Sequence, residues 1–193
     1  TAVGELDDGP FRAGASTGRR VRVHAFVLGA TWSLPLPARP SLSLALAQGS
    51  GGADGARTDR NFRQTGLQEN EARIAGVKRL RYYGQLLAPE LSNLRIASAG
   101  LGVRVLENSS IELLLHRYRQ RVASTRLAGS RLSEDPAGAS RDIGSEIDLF
   151  VALREWQHVE FSFGVATFRP GAAFAPDRRD RACGIELGAE IQF

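Results

Sequence analysis

The side chains able to do chemistry in this chain are mostly arginines. Lysine and arginine number 25 against 21 aspartates and glutamates, a formal charge of +4, and Lys78 is the only lysine, so 24 of the 25 cations are arginine. A guanidinium is a planar fork that matches a carboxylate or phosphate, where an ammonium is a point charge. Recognition of an anionic ligand is one reading. A GC-rich genome, which raises arginine, alanine and glycine together, accounts for the composition equally well. Nothing in the spacing points to catalysis. His24, His116 and His158 stand singly, as wall residues on polar strand faces do. The lone Cys183 excludes a disulfide framework or a cysteine-rich metal site. There is no Gly-Xaa-Ser-Xaa-Gly elbow, no phosphate loop and no metal-ligand spacing. The expectation is a protein that is not an enzyme and that needs no cofactor and no metal.

The elements that must position these charges show a period of two. Cys183, Ile185, Leu187, Ala189, Ile191 and Phe193 alternate with Gly184, Glu186, Gly188, Glu190 and Gln192. Alternation of that length argues for a strand with one apolar and one polar face. The same pattern places Val159, Phe161, Phe163 and Val165 opposite in phase to His158, Glu160, Ser162 and Gly164. Upstream it sets Ile143, Ile147, Leu149, Val151 and Leu153 against Gly144, Glu146, Asp148 and Arg154. Ile111, Leu113 and Leu115 alternate with Glu112, Leu114 and His116, and Ala97 to Val105 alternates with Ser98, Gly100, Gly102 and Arg104. Leu42, Leu44 and Leu46 mark another strand, and two more are expected at about 20–34 and 73–84. That makes about eight strands and no helix. Residues 1–19 carry no assignment, and a long connection is expected at about 51–72. The chain opens on Thr1 and contains no Met, so a processed chain or a fragment is expected.

Connections alternate in length. Glu107–Ser110 and Glu155–Gln157 are tight turns, whereas 122–140 and 170–178 are long and polar. A transmembrane β-barrel alternates in this way, with short periplasmic turns and long external loops. Strands longer than the usual ~5–6 residues, acids in mid-strand and an aromatic last residue point the same way. No apolar run approaches the ~20 residues of a membrane helix. Trp156, Tyr82, Tyr83, Tyr118 and Phe168 lie near strand ends, as interfacial girdles require. The expected fold is an all-β, up-and-down antiparallel transmembrane barrel in a bacterial outer membrane.

Several segments resemble the alginate-export porin family. They are Asn61–Asn70, Arg81–Gly84 with Pro89–Leu94, Glu107–Ser110, His116–Gln120, Gly144–Leu149 and Phe168–Gly171. The resemblance implies an eighteen-stranded barrel of which these are the C-terminal strands, and passive export of alginate through an arginine-lined pore. The closing Phe193 resembles the signal by which the barrel-assembly machinery takes up a C-terminal strand.

Given that resemblance, the expected pore-lining residues are Arg79, Arg81, Arg104 and Arg154, each offering a fork to a uronate carboxylate. Glu112, His116, Glu146 and Asp148 are expected on the same wall, pairing across strands with those arginines. Arg117, Arg119 and Arg121 share the apolar phase and belong at the outer rim. There they snorkel or form a salt bridge to lipopolysaccharide, which with lipid is an expected partner. Counting strands back from Phe193 puts the 51–72 connection on the short-turn side, where its length is out of place; a further strand within 59–72 would change the parity. The alternative reading is a small closed structural or adhesive barrel without a channel, whose residues near 21–34 would pair with 181–193.

Overall fold

The computed structural model describes residues 20–52, 58–64 and 70–191. Phe193, the segment 1–19 and residues 65–69 of the family-like stretch lie outside the described residues. The strands are β1 (Arg20–Val21), β2 (Ala25–Ser33), β3 (Ser41–Gly49), β4 (Thr58–Asp59), β5 (Glu71–Ala72), β6 (Leu80–Arg81), β7 (Leu94–Arg104), β8 (Ser110–Gln120), β9 (Asp142–Trp156), β10 (Val159–Pro170) and β11 (Ala182–Ile191). A 3-10 turn at Pro176–Arg178 is the one helical element among the described residues. The chain is all-β, as its alternation predicts.

Seven strands form one antiparallel sheet in the order β11-β10-β9-β8-β7-β3-β2. Five successive strands from β7 to β11 are neighbours in chain order, which is the up-and-down meander. Two edges remain: among the described residues no ladder joins β2 to β11, so the pairing that a small closed barrel requires is not there.

The two faces differ in chemistry. Leu28, Leu101 and Leu187 are 65%, 55% and 79% exposed, and Leu115, Ile147, Leu149, Phe161 and Phe163 share that outward face. A contiguous apolar surface of this size marks burial against something other than water. The inward face carries Ser43, Glu112, His116, Glu146 and Asp148, all buried. Arginine at Arg117 and Arg119 lies on the outward face where β8 ends, in the phase expected of it.

Four expectations need correction. The strand expected at 73–84 does not join the sheet; only Leu80–Arg81 is extended there, in a two-residue ladder with Glu71–Ala72. The sheet therefore has seven strands instead of eight. The physical reason is competition: wall side chains, described below, take the backbone groups of this segment, so no neighbouring strand is needed to satisfy them. The connection consequently runs from 50 to 93. Removing one crossing also restores parity, and 50–93 falls on the same side as the long loops 121–141 and 171–181. Finally, Ile143 is fully buried instead of facing outward, because the β8–β9 register shifts between Tyr118 and Arg119, where Gly144 takes φ +135°. A bulge of this kind re-aims one side chain by one face.

The aromatic girdle is likewise only partly formed. Trp156 is 55% exposed and packs edge-on against Phe161 at 5.8 Å. Tyr83, Tyr118 and Phe168 are instead buried on the inward side, packed with Leu87, Leu91 and Phe174. Their apolar area is the core that holds the 50–93 connection against the wall.

Candidate functional site

The inward face of the sheet is covered by residues 74–91, and several backbone groups of that segment hydrogen-bond to side chains of the wall. Ile74 O accepts hydrogen bonds from Ser43 Oγ at 2.7 Å and Thr31 Oγ1 at 3.3 Å, and Ala75 O accepts one from Ser41 Oγ. Ala75 N donates to Glu112 Oε2 at 3.2 Å and Val77 N to Ser110 Oγ at 3.0 Å. Further along, Gln85 N donates to Asp148 Oδ2 at 3.3 Å. Leu86 N and Leu87 N donate to the two Glu146 oxygens at 2.6 and 3.0 Å. Tyr118 OH reaches both Tyr83 O at 2.9 Å and Glu146 Oε2 at 3.1 Å.

Glycines permit this approach. A Cβ on Gly102 would run into the Ala75 carbonyl, and one on Gly84 would collide with the Tyr118 hydroxyl. Gly84 also takes φ +96°. An L-residue with left-handed backbone costs ~1–2 kcal/mol, and overpacking typically adds ~1–3 kcal/mol. Gly84→Ala is therefore expected to weaken docking of this segment by roughly 2–5 kcal/mol. Faster hydrogen exchange at the Gln85–Leu87 amides would report it, and unchanged protection would contradict it. Burial raises the hydroxyl pKa of Tyr82 and Tyr83 alike; Tyr83 is pushed up to about 12, with the neighbouring Tyr82 adding to the effect. Both stay neutral hydroxyls at physiological pH.

The expected site residues divide into four groups. Glu112, His116, Glu146 and Asp148 do face inward, but at 1–3% exposure they lie beneath residues 74–87. They hold that segment and do not face open space. His116 Nδ1 bonds Ser98 Oγ at 2.8 Å, and its Nε2 lies 3.6 Å from Asp148 Oδ2. Arg154 is a wall tie: its Nε lies 2.7 Å from Glu160, and its guanidinium donates to Val77 O at 3.1 Å. Arg104 sits at the short-turn end of β7 and donates to Glu107 O at 3.1 Å. Arg79 is exposed and Arg81 half-buried, both carried on the inward-folded connection and not on a wall strand.

Phase analysis missed Gln85 and Arg131, which sit in segments without strand alternation, and it placed Lys78 on a wall strand instead of on the inward-folded connection. Lys78 Nζ lies 2.9 Å from Glu186 Oε1 and from Ser162 Oγ, tying the connection to β10 and β11. The Gln85 amide donates to Glu186. Arg131, from the 121–141 loop, donates to Gln85 O at 3.2 Å. Together with Leu86, Phe150 and Gly184 these three side chains, Gln85, Arg131 and Glu186, line a cavity of about 310 Å³ on the inward side. That is the lower end of the ~300–1,000 Å³ that suits a small ligand or one sugar unit. Its polar lining offers a cation, an amide and the Glu186 carboxylate, which is paired with Lys78. Among the described residues no group of three or more His, Cys, Asp or Glu is arranged to hold a metal.

Comparison with known proteins bears on what such a wall is for. A family model described as alginate export matches residues 10–183. A curated relative, the alginate production protein AlgE of Pseudomonas aeruginosa, is 26% identical over 186 residues, which is 89% of this chain and 37% of the relative. The chain thus spans well under half the length of that relative. With the family model covering most of its residues, this chain belongs to the alginate export family.

Proposed function

We infer that this chain forms an arc of an outer-membrane β-barrel through which an anionic, alginate-like polysaccharide leaves the cell by diffusion, with no chemical step. The observation that carries the reading is the opposite chemistry of the two faces of one sheet: leucines exposed outward, and serines, a histidine and carboxylates inward. A bilayer outside and a polar lumen inside satisfy both faces at once, which supports the reading. The unpaired edges β2 and β11 support an arc over a closed small barrel, since a barrel leaves no edge open. Seven strands out of the eighteen that the family resemblance implies is also a share close to the 37% of the relative's length that this chain spans.

Each sugar of a polyuronate carries a carboxylate, so the lumen needs fixed positive charge. Arg79, Arg81 and Arg131 are the side chains best placed to provide it, from the inward-folded connection and the loop over it. Arg104 adds a cation at the short-turn mouth. The carboxylates Glu146, Asp148 and Glu112 stiffen the support under these cations instead of meeting the sugar.

The test is single-channel conductance of the full-length protein in a planar bilayer, with and without polymannuronate. Anion-selective current blocked by the uronate is expected. Arg79→Gln with Arg81→Gln should weaken the block about tenfold, the effect of losing ~1.4 kcal/mol of charge-assisted contact. Absence of conductance from folded protein would leave the channel-less structural barrel as the reading.

A further inference from the structure

Arginines are not spread evenly on the outward face. Arg95 on β7 lies directly opposite Arg119 on β8. Arg117 on β8 and Arg169 on β10 lie opposite the same small residue, Ser145 of β9, from its two sides. All four are exposed. With strands ~4.8 Å apart, the first pair is separated by roughly 5 Å between Cα atoms and the second by roughly 10 Å. Among the described residues one carboxylate touches this group, Asp142 at 2.7 Å from Arg117. Like charges directly opposite on one face destabilise a sheet. Snorkelling alone asks for a cation at the rim, not for two that face each other.

Depth agrees with a ligand at the bilayer surface. From Val159 to Arg169 is ten residue steps of β10. That is roughly 33 Å along the strand and roughly 25 Å along the normal at a tilt near 40°, the height of an outer-membrane apolar band. The other end of that band carries Trp32, Trp156 and Phe161, exposed on the same face. Aromatics therefore mark the short-turn rim and arginines the long-loop rim, which in such barrels is the external one.

We propose that Arg95, Arg117, Arg119 and Arg169 form an outward-facing site for the phosphates of lipid A, the phosphorylated glycolipid of the external leaflet. The proposal rests on the bilayer-embedded orientation inferred above. Two arginine pairs suit a headgroup that carries two phosphates on one molecule, whereas a phospholipid with one phosphate fills only one pair. Each guanidinium offers a bidentate fork to phosphate oxygens, and a bound anion relieves the Arg95–Arg119 repulsion. Cationic segments gain further attraction from an anionic leaflet, an effect that salt weakens.

The experiment uses the full-length protein, folded in detergent, with lipid A bearing both phosphates, the same lipid dephosphorylated, and phosphatidylglycerol as probes. Bound lipid is counted by native mass spectrometry, and folding is checked by heat-modifiable gel mobility. Bisphosphorylated lipid A should bind at least tenfold more tightly than either other lipid. Arg95→Gln with Arg119→Gln should remove that preference, and the Lys versions should keep part of it. Arg117→Gln with Arg169→Gln is the second pair, read in the same way if the first does not fold. Equal binding of phosphatidylglycerol, or wild-type preference in a folded Gln variant, overturns the assignment. Uronate block is recorded on the same samples: lost lipid preference with block intact is the result expected of the Gln variants, and no uronate block with lipid preference intact sinks only the export reading.

Discussion

Glu146→Ala is expected to release residues 84–91 from the inward face while leaving the seven-stranded sheet in place. The Glu146 carboxylate is 1% exposed and accepts from Leu86 N, Leu87 N and Tyr118 OH. Truncation leaves the Leu86 and Leu87 amides without a partner in a site that water enters only if the segment lifts, while Tyr118 OH keeps Tyr83 O at 2.9 Å. An orphaned buried donor costs ~1–3 kcal/mol, so docking should weaken by at least about 2 kcal/mol, roughly a thirtyfold change in the docked-to-released ratio. Hydrogen exchange of the Gln85–Leu87 amides is the direct measurement, with pore conductance rising in parallel as the lumen clears. Glu146→Gln keeps one acceptor and should show a clearly smaller effect. Wild-type protection in the alanine variant would mean that the apolar contacts of Leu87 and Leu91, not the carboxylate, hold the segment.

The second large effect lies on the other face. Leu149 is outward-facing near the middle of β9 and 39% exposed in the isolated chain. In a bilayer, Leu149→Arg places a charge in hydrocarbon at ~2–4 kcal/mol. In water the same substitution would remove an exposed leucine and cost nothing. The sign therefore separates the two environments. Urea unfolding of the full-length protein in lipid vesicles should show the full loss for Leu149→Arg. Unchanged stability would remove the bilayer from the outward face. The arginines already present at Arg117 and Arg119 do not contradict this, because the penalty falls toward zero at the interface and both lie at the end of β8.

Both effects depend on the same feature, a sheet whose inner lining is a second layer of chain. Carboxylates in mid-strand suit a wet lumen when the wall is considered alone. In the folded protein they serve first to hold residues 74–87, with the seryl and threonyl hydroxyls of β2, β3 and β8 completing the set of partners. On the proposed export reading, the cations that face the lumen come from that inner layer, so the width and charge of the conduit would be properties of the 50–93 connection more than of the strands.

What the sequence determined by itself follows from short-range geometry. Period-two alternation depends only on the pleat, so six of the seven long strands, most of their phase and the outward position of Leu115, Leu149 and Leu187 were readable residue by residue, while the strand at about 20–34 was expected without a settled phase. Turn lengths told the two rims apart for the same reason. The tertiary structure alone decided the fate of residues 73–84. Their alternation around Gly76 is compatible with a strand, and only the Glu112, Ser110 and Ser43 side chains, distant in sequence, offered their backbone a different set of partners. The inward turn of Ile143 likewise arose from a bulge at Gly144 that no pattern announces. Local periodicity says which face a side chain takes, but what lies against that face is settled by segments that meet only once the chain has folded.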